Sequence, residues 1–238
     1  MNRSPIYITS FASVSPLGKT VDEIWNSYLK ESSFIGLHNS TSCDLNPGLR
    51  KNISDLRQEN NKYKALDNTV LFSLFAGRKA FELSKWSSND VIGINMGSSR
   101  GATELFEKFH SDFVETGTTG TLASPTTTLG NISTWLASDL QVQGPTISHS
   151  IACSTALHAL LNGIAWLNSG MSNKFMVGGS EAANTSFTIE QMRALKIYSR
   201  RNDKFPCQSL KFDKTENTMV LGEGAAIFCI EKSKPKHD

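Results

Sequence analysis

Residues 150–157, SIACSTAL, place a single cysteine among small residues. The stretch before it, GPTISHSIA, reads as a strand. The stretch after it carries Ala156, Leu157, Leu160, Leu161, Ile164 and Leu167, a broad apolar face at helical spacing. The junction predicts Cys153 in the first turn of a buried helix that follows directly on a strand. The unpaired N–H groups and positive dipole end of such a helix favour a thiolate, the nucleophilic form of the side chain. Ala152, Ser154, Thr155 and Ala156 leave room for an acyl group, and the Cys153 N–H can stabilise an oxyanion. A buried core cysteine fits the same spacing, so the junction alone leaves both readings open.

Outward from that junction, strands alternate with helices. PIYITSFASV reads as a first strand with Ile6, Ile8 and Phe11 as its apolar side chains. Thr20 and Glu23 form a capping box ahead of an apolar stripe of Ile24, Trp25, Tyr28 and Leu29. Residues 31–60 are polar and read as a long loop with a helical turn. The longest helical pattern is NKYKALDNTVLFSLFAGRKAFELSKW. DVIGINMGSSRG reads as a strand entering a glycine turn, and ATELFEKFHSDFVE as a helix with Leu105, Phe106, Phe109 and Phe113 on one side. TGTTGTLASPTTT reads as a loop and LGNISTWLASDL as a short helix. KFMVGGSEA is a further strand, and TIEQMRALK a short helix. MVLGEGAAIFCIE looks like two strands around Gly222-Glu223-Gly224. Alternation of this kind implies one α/β domain, residues 1–231, with a largely parallel or mixed sheet covered by helices on both faces. Residues 232–238 form a charged tail.

The bulk numbers exclude several function classes. The 238 residues carry 24 basic and 22 acidic side chains, a net charge of +2 that offers no steering field for nucleic acid or anionic membrane. No stretch approaches the length of a membrane span, and the N-terminus lacks a signal-peptide pattern, so a cytoplasmic protein is expected. Cys43, Cys153, Cys207 and Cys229 are widely spaced, which suits thiols rather than a zinc site or disulfides. GINMGSSRG fits neither phosphate-binding glycine motif; a tight turn is the simpler account. Gly178 and Gly179 likewise read as places where backbones approach closely. A cysteine nucleophile needs a base or charge partner. His38, His110, His149, His158 and His237 are the candidates, and none has a spacing that aims it at Cys153.

Taken together, these segments resemble the β-ketoacyl synthases. IACSTALHAL is similar to that family's nucleophile motif, MVGGSEA to its Gly-Gly-x-Glu strand, and MRALK to the Arg-Ala-Leu-Ser stretch beyond. LKFDKTENTMVLGEGAAIFCIE resembles the Phe-Asp-x-x-Arg-Asp-Gly-Phe-Val-x-Gly-Glu-Gly-Ala run. PIYITSFASVSPLGKTVDEIWNSYLKE resembles the opening strand, turn and helix. The resemblance implies the N-terminal half of a thiolase-like fold, a mixed sheet between helical layers. It implies acyl transfer to Cys153 from the phosphopantetheine arm of acyl carrier protein, in fatty acid or polyketide synthesis, with the Cys153 N–H as an oxyanion donor and no cofactor or metal.

The family's decarboxylative condensation also uses two histidines and a lysine from a C-terminal half, and no such motif occurs here. Glu216-Asn217-Thr218-Met219 stands where the family has Arg-Asp-Gly-Phe, and Ala156 where it often has Gly or Ser. The expected partners are acyl carrier protein and a second synthase chain, as homodimer or heterodimer. The alternative is a non-condensing subunit, like a chain-length factor, that pairs with an active ketosynthase. A cysteine hydrolase would need a histidine and an acid beside Cys153, which the spacing does not offer.

Overall fold

The computed structural model describes residues 5–36, 42–210, 212 and 218–233. Five strands form one sheet: β1 (Tyr7–Val14), β2 (Ile92–Gly97), β3 (Thr146–His149), β4 (Lys174–Glu181) and β5 (Gly224–Glu231). Their order is β1-β5-β4-β2-β3. The β2 strand runs parallel to β3 and β4, while β5 is antiparallel to both β4 and β1. The sheet is therefore mixed, as expected.

Side chains alternate across this sheet, and each face has its own core. On one face Met176, Ile227 and Cys229 join Ile92, Ile94 and Met96 beneath α3 (Asn68–Ser84) and α6 (Asn131–Leu140). Gly77 of α3 lets the helices meet; a Cβ there would lie 2.4 Å from a Leu136 methyl. On the other face Phe175, Val177 and Ile230 pack against Leu167 of α7 (Thr155–Ser169). That second cluster is much the smaller.

Several expectations need correction. Residues 31–60 contain a 13-residue helix, α2 (Pro47–Glu59). Asn46 caps it by accepting the Leu49 N–H at 3.0 Å, and Pro47 opens it. Its buried residues are only Leu49, Ile53 and Leu56, a sparse stripe that the polar composition hid. The long helical pattern beyond it breaks at Leu66, which is extended. A 3₁₀ turn (Asn61–Ala65) precedes the break, and Asp67 restarts the chain by accepting the Thr69 N–H at 2.8 Å.

The Gly222-Glu223-Gly224 region is no hairpin. Met219 and Gly222 make isolated parallel bridges to Tyr198 and Cys43, and only β5 is a strand. Gly224 sits at φ +153°, where a Cβ would come 2.5 Å from the Val14 carbonyl. The threonine-rich loop holds a five-residue helix, α5 (Ala123–Thr127). The charged tail beyond residue 233 lies outside the described residues, as do Glu216 and Asn217.

Four apolar surfaces have no cover among the described residues. The α7 helix buries Thr155, Ala159, Gly163 and Leu167, all but one of them small, while Leu157 and Leu161 are 67% and 58% exposed. The expected broad buried face is thus buried on one side only. On β1, Ala12 and Val14 point into the core and Ile8 and Phe11 point out. The helix α1 (Val21–Tyr28) has the capping box, yet Trp25, Tyr28 and Leu29 are exposed. The helix α4 (Thr103–Thr116) has no buried residue, and Phe106 and Phe113 face outward.

Candidate active site

The parallel strands β2, β3 and β4 end at one edge of the sheet, and the turn between β3 and α7 lies there. Cys153 is in that turn, one residue ahead of the cap residue Ser154, rather than in the first helical turn. It is exposed, so it is not a core cysteine. The turn is held tightly. Ala152 adopts φ +48°, which non-glycine residues rarely do. Thr155 Oγ1 donates to the Ala152 carbonyl and accepts the Ile151 N–H at 2.8 Å. The backbone at Ser154 closes on the Ile151 carbonyl at 3.3 Å.

Cys153 lines an open cavity of about 520 Å³. Gly97, Ser99, Thr155, Ala156, Gly179 and Glu181 contribute to its walls, as do Ile24 and Tyr28 of α1. The glycines act as the sequence suggested. A Cβ on Gly178 would lie 2.0 Å from the Ala226 carbonyl of the neighbouring strand. On Gly179 it would lie 2.7 Å from Ala156 Cβ, and on Gly97 2.2 Å from a Thr155 methyl. These two glycines let the start of α7 sit directly on the ends of β2 and β4. GINMGSSRG is accordingly a packing turn, with Gly101 at φ +67°.

No histidine lines this cavity among the described residues. His149 Nδ1 meets Asn95 Oδ1 at 3.1 Å; since Asn95 Nδ2 donates to the Ala159 carbonyl, His149 is the donor. Its Nε2 is buried without a partner among the described residues. Burial, and next the nearby His158, hold the His149 pKa below the usual imidazole value. His158 Nδ1 is 3.0 Å from the Ser154 carbonyl. His110 is exposed on α4, and His38 and His237 lie outside the described residues.

The other cysteines stand apart. Burial pushes Cys43 and Cys229 each up to about 11, which keeps them neutral thiols. Two residues of the site were not singled out from sequence. The sequence marks Thr155 only as a small neighbour of Cys153. It marks Glu181 only as the end of Gly-Gly-Ser-Glu. One of its carboxylate oxygens accepts the Ser99 N–H, and the other is buried. Burial raises its pKa against the lowering effect of Ser99, Ser98 and Arg100.

A mixed five-stranded sheet between helices, with an exposed cysteine at the turn from β3 to α7, has the thiolase-like fold. Residues 3–236 match the β-ketoacyl synthase N-terminal domain, and the chain belongs to that family. It is 29% identical to the 3-oxoacyl-(acyl-carrier-protein) synthase 2 of Vibrio cholerae, over 98% of this chain and 59% of that protein. Its fold superposes on a β-ketoacyl synthase from Burkholderia phymatum with TM-score 0.79 at 19% identity, over 98% of this chain and 60% of the other. The ishigamide ketosynthase/chain length factor gives 0.76 at 16% identity, over 96% and 58%. The chain thus spans about three fifths of the length of these relatives.

Proposed function

We propose that Cys153 accepts an acyl chain from the phosphopantetheine thioester of acyl carrier protein. The observation that carries this reading is the exposed Cys153 sulfur at the wall of a 520 Å³ cavity, on a turn strained at Ala152. The Cys153 sulfur attacks the thioester carbonyl and forms a new carbon–sulfur bond. The carbonyl oxygen becomes an oxyanion, for which the Cys153 N–H is the donor; no protein acceptor pairs with that N–H among the described residues. Collapse of the intermediate breaks the old carbon–sulfur bond, and the phosphopantetheine sulfur leaves and takes up the proton that Cys153 gave.

Condensation with a malonyl unit requires groups that activate and decarboxylate it. The described residues of the cavity include no histidine or lysine for that task. We assign the step to polypeptide that covers the bare face of α7, supplied as homodimer, heterodimer or further sequence. The test is transfer from a radiolabelled acyl-carrier thioester. Wild type takes up label and Cys153→Ala does not; equal labelling of both overturns the reading.

A second reading has one observation in its favour. The absence of a histidine from the described residues of the cavity suits a non-condensing subunit, and one fold neighbour is a ketosynthase/chain length factor. On this reading the chain stimulates a partner synthase whose activity survives Cys153→Ala.

A further inference from the structure

Glu181 ends β4 at the cavity wall that also carries Cys153. Its bond to the Ser99 N–H is the first link of a short relay. The Ser99 carbonyl accepts the Ser150 hydroxyl at 3.0 Å, and the adjacent Ser98 N–H reaches the His149 carbonyl at 3.3 Å. Ser150 lies three residues before Cys153 and opens its turn. The segment after β2 is therefore clamped between Glu181 on one side and the nucleophile turn on the other.

The backbone of Ser99 carries the line from Glu181 to the turn. Ser99 offers one N–H and one carbonyl, and both are engaged in this single line. A charged acceptor makes the stronger sort of backbone hydrogen bond. The Ser98 and Ser99 side chains also act on the Glu181 carboxyl, so it gathers the segment after β2 at the end of β4.

We propose that Glu181 is a positioning residue for Cys153, acting through Ser99 and Ser150 to hold the nucleophile turn against the cavity. The inference rests on Cys153 being the acyl acceptor, and its test separates the two. Wild type, Glu181→Ala, Glu181→Gln, Ser150→Ala and the double variant Glu181→Ala/Ser150→Ala are compared as full chains. Two rates are read: octanoyl transfer from acyl carrier protein to Cys153, and alkylation of Cys153 by iodoacetamide, both followed by intact mass.

Glu181→Ala slows octanoyl transfer about tenfold, the scale set by losing one charge-assisted hydrogen bond. Glu181→Gln, which keeps an acceptor for Ser99, restores most of the rate. The double variant is no slower than the slower single variant, because both act along one line. A wild-type rate in Glu181→Ala, or a double variant slowed by the product of the two single effects, overturns the proposal. Should Glu181→Ala fail to fold, a Ser150→Ala protein with the wild-type rate overturns it instead. If even wild type takes no octanoyl group, the acyl-acceptor reading fails, and the same order of variants in the iodoacetamide rates decides the positioning role.

Discussion

Thr155 Oγ1 takes the Ile151 N–H at 2.8 Å and donates to the Ala152 carbonyl, so one buried hydroxyl closes both sides of the turn that presents Cys153. Ala152 stays at φ +48° because this bracket holds it there. Thr155→Val keeps the shape and removes the bracket. It leaves the Ile151 N–H without its acceptor and the Ala152 carbonyl with only the Thr155 N–H, a loss of about 0.5–1.5 kcal/mol in urea unfolding. Thr155→Ser, which keeps the hydroxyl, retains most of that stability.

Gly179 and Ala156 meet where α7 crosses the end of β4. Gly179→Ala places its methyl 2.7 Å from Ala156 Cβ, and the helix must lift to make room. Overpacking of this kind costs about 1–3 kcal/mol. Labelling of Cys153 should fall with it, since the turn that presents Cys153 leads into the same helix. Gly130→Ala is the control: an added methyl there meets no atom within 4 Å, and the φ of −62° suits alanine. Thermal midpoints of the two variants check the contrast.

Cysteine reactivity should be selective. Cys43 and Cys229, held at about 11, remain protonated at neutral pH. Iodoacetamide applied to the native protein therefore leaves both unmodified while Cys153, exposed at the cavity, reacts. Peptide mapping after brief treatment measures this. Unfolding in urea before treatment abolishes the protection of both.

The pH dependence of stability carries the mark of Glu181. Burial raises its folded pKa above the unfolded value, so the folded state binds the proton more tightly. Its contribution to stability is full below the unfolded pKa and is lost as pH rises through the folded one. Asp67 and Glu223 share this sign, also through burial. Comparison with Glu181→Gln isolates one group. Lowering the pH from about 7 to about 5 should stabilise wild type relative to Glu181→Gln, by thermal melts at matched ionic strength; the opposite trend contradicts a raised pKa.

The bare face of α7 predicts association. Leu157→Lys with Leu161→Lys removes apolar surface that the described core does not use. The melting temperature should stay within about 2 °C, as for most surface changes. Light scattering should show less self-association, and any co-purifying synthase chain should be lost.

Much of the fold was legible in local sequence. Strands such as YITSFASV and KFMVGGSE, the Thr20–Glu23 capping box and the helix after Cys153 depend on periodicity and short-range hydrogen bonds, which neighbouring residues specify. The α2 helix was hidden because its burial rests on three side chains, Leu49, Ile53 and Leu56, and these matter only once α3 is beside them. Periodicity also could not say which apolar faces find cover. Leu157 and Leu167 look alike in sequence, but only Leu167 meets the sheet.

The sequence by itself determined the family: the order of the motifs around Cys153, Gly-Gly-Ser-Glu and Gly-Glu-Gly-Ala needs no coordinates. Tertiary structure alone decided what surrounds that thiol. Glu181 reaches Ser99 across 82 positions of chain, and Ser150 joins Ser99 across 51. Such contacts arise because β2 and β4 pair in parallel and bring their ends to one edge. Pairing between strands so distant in sequence leaves no periodic trace in either.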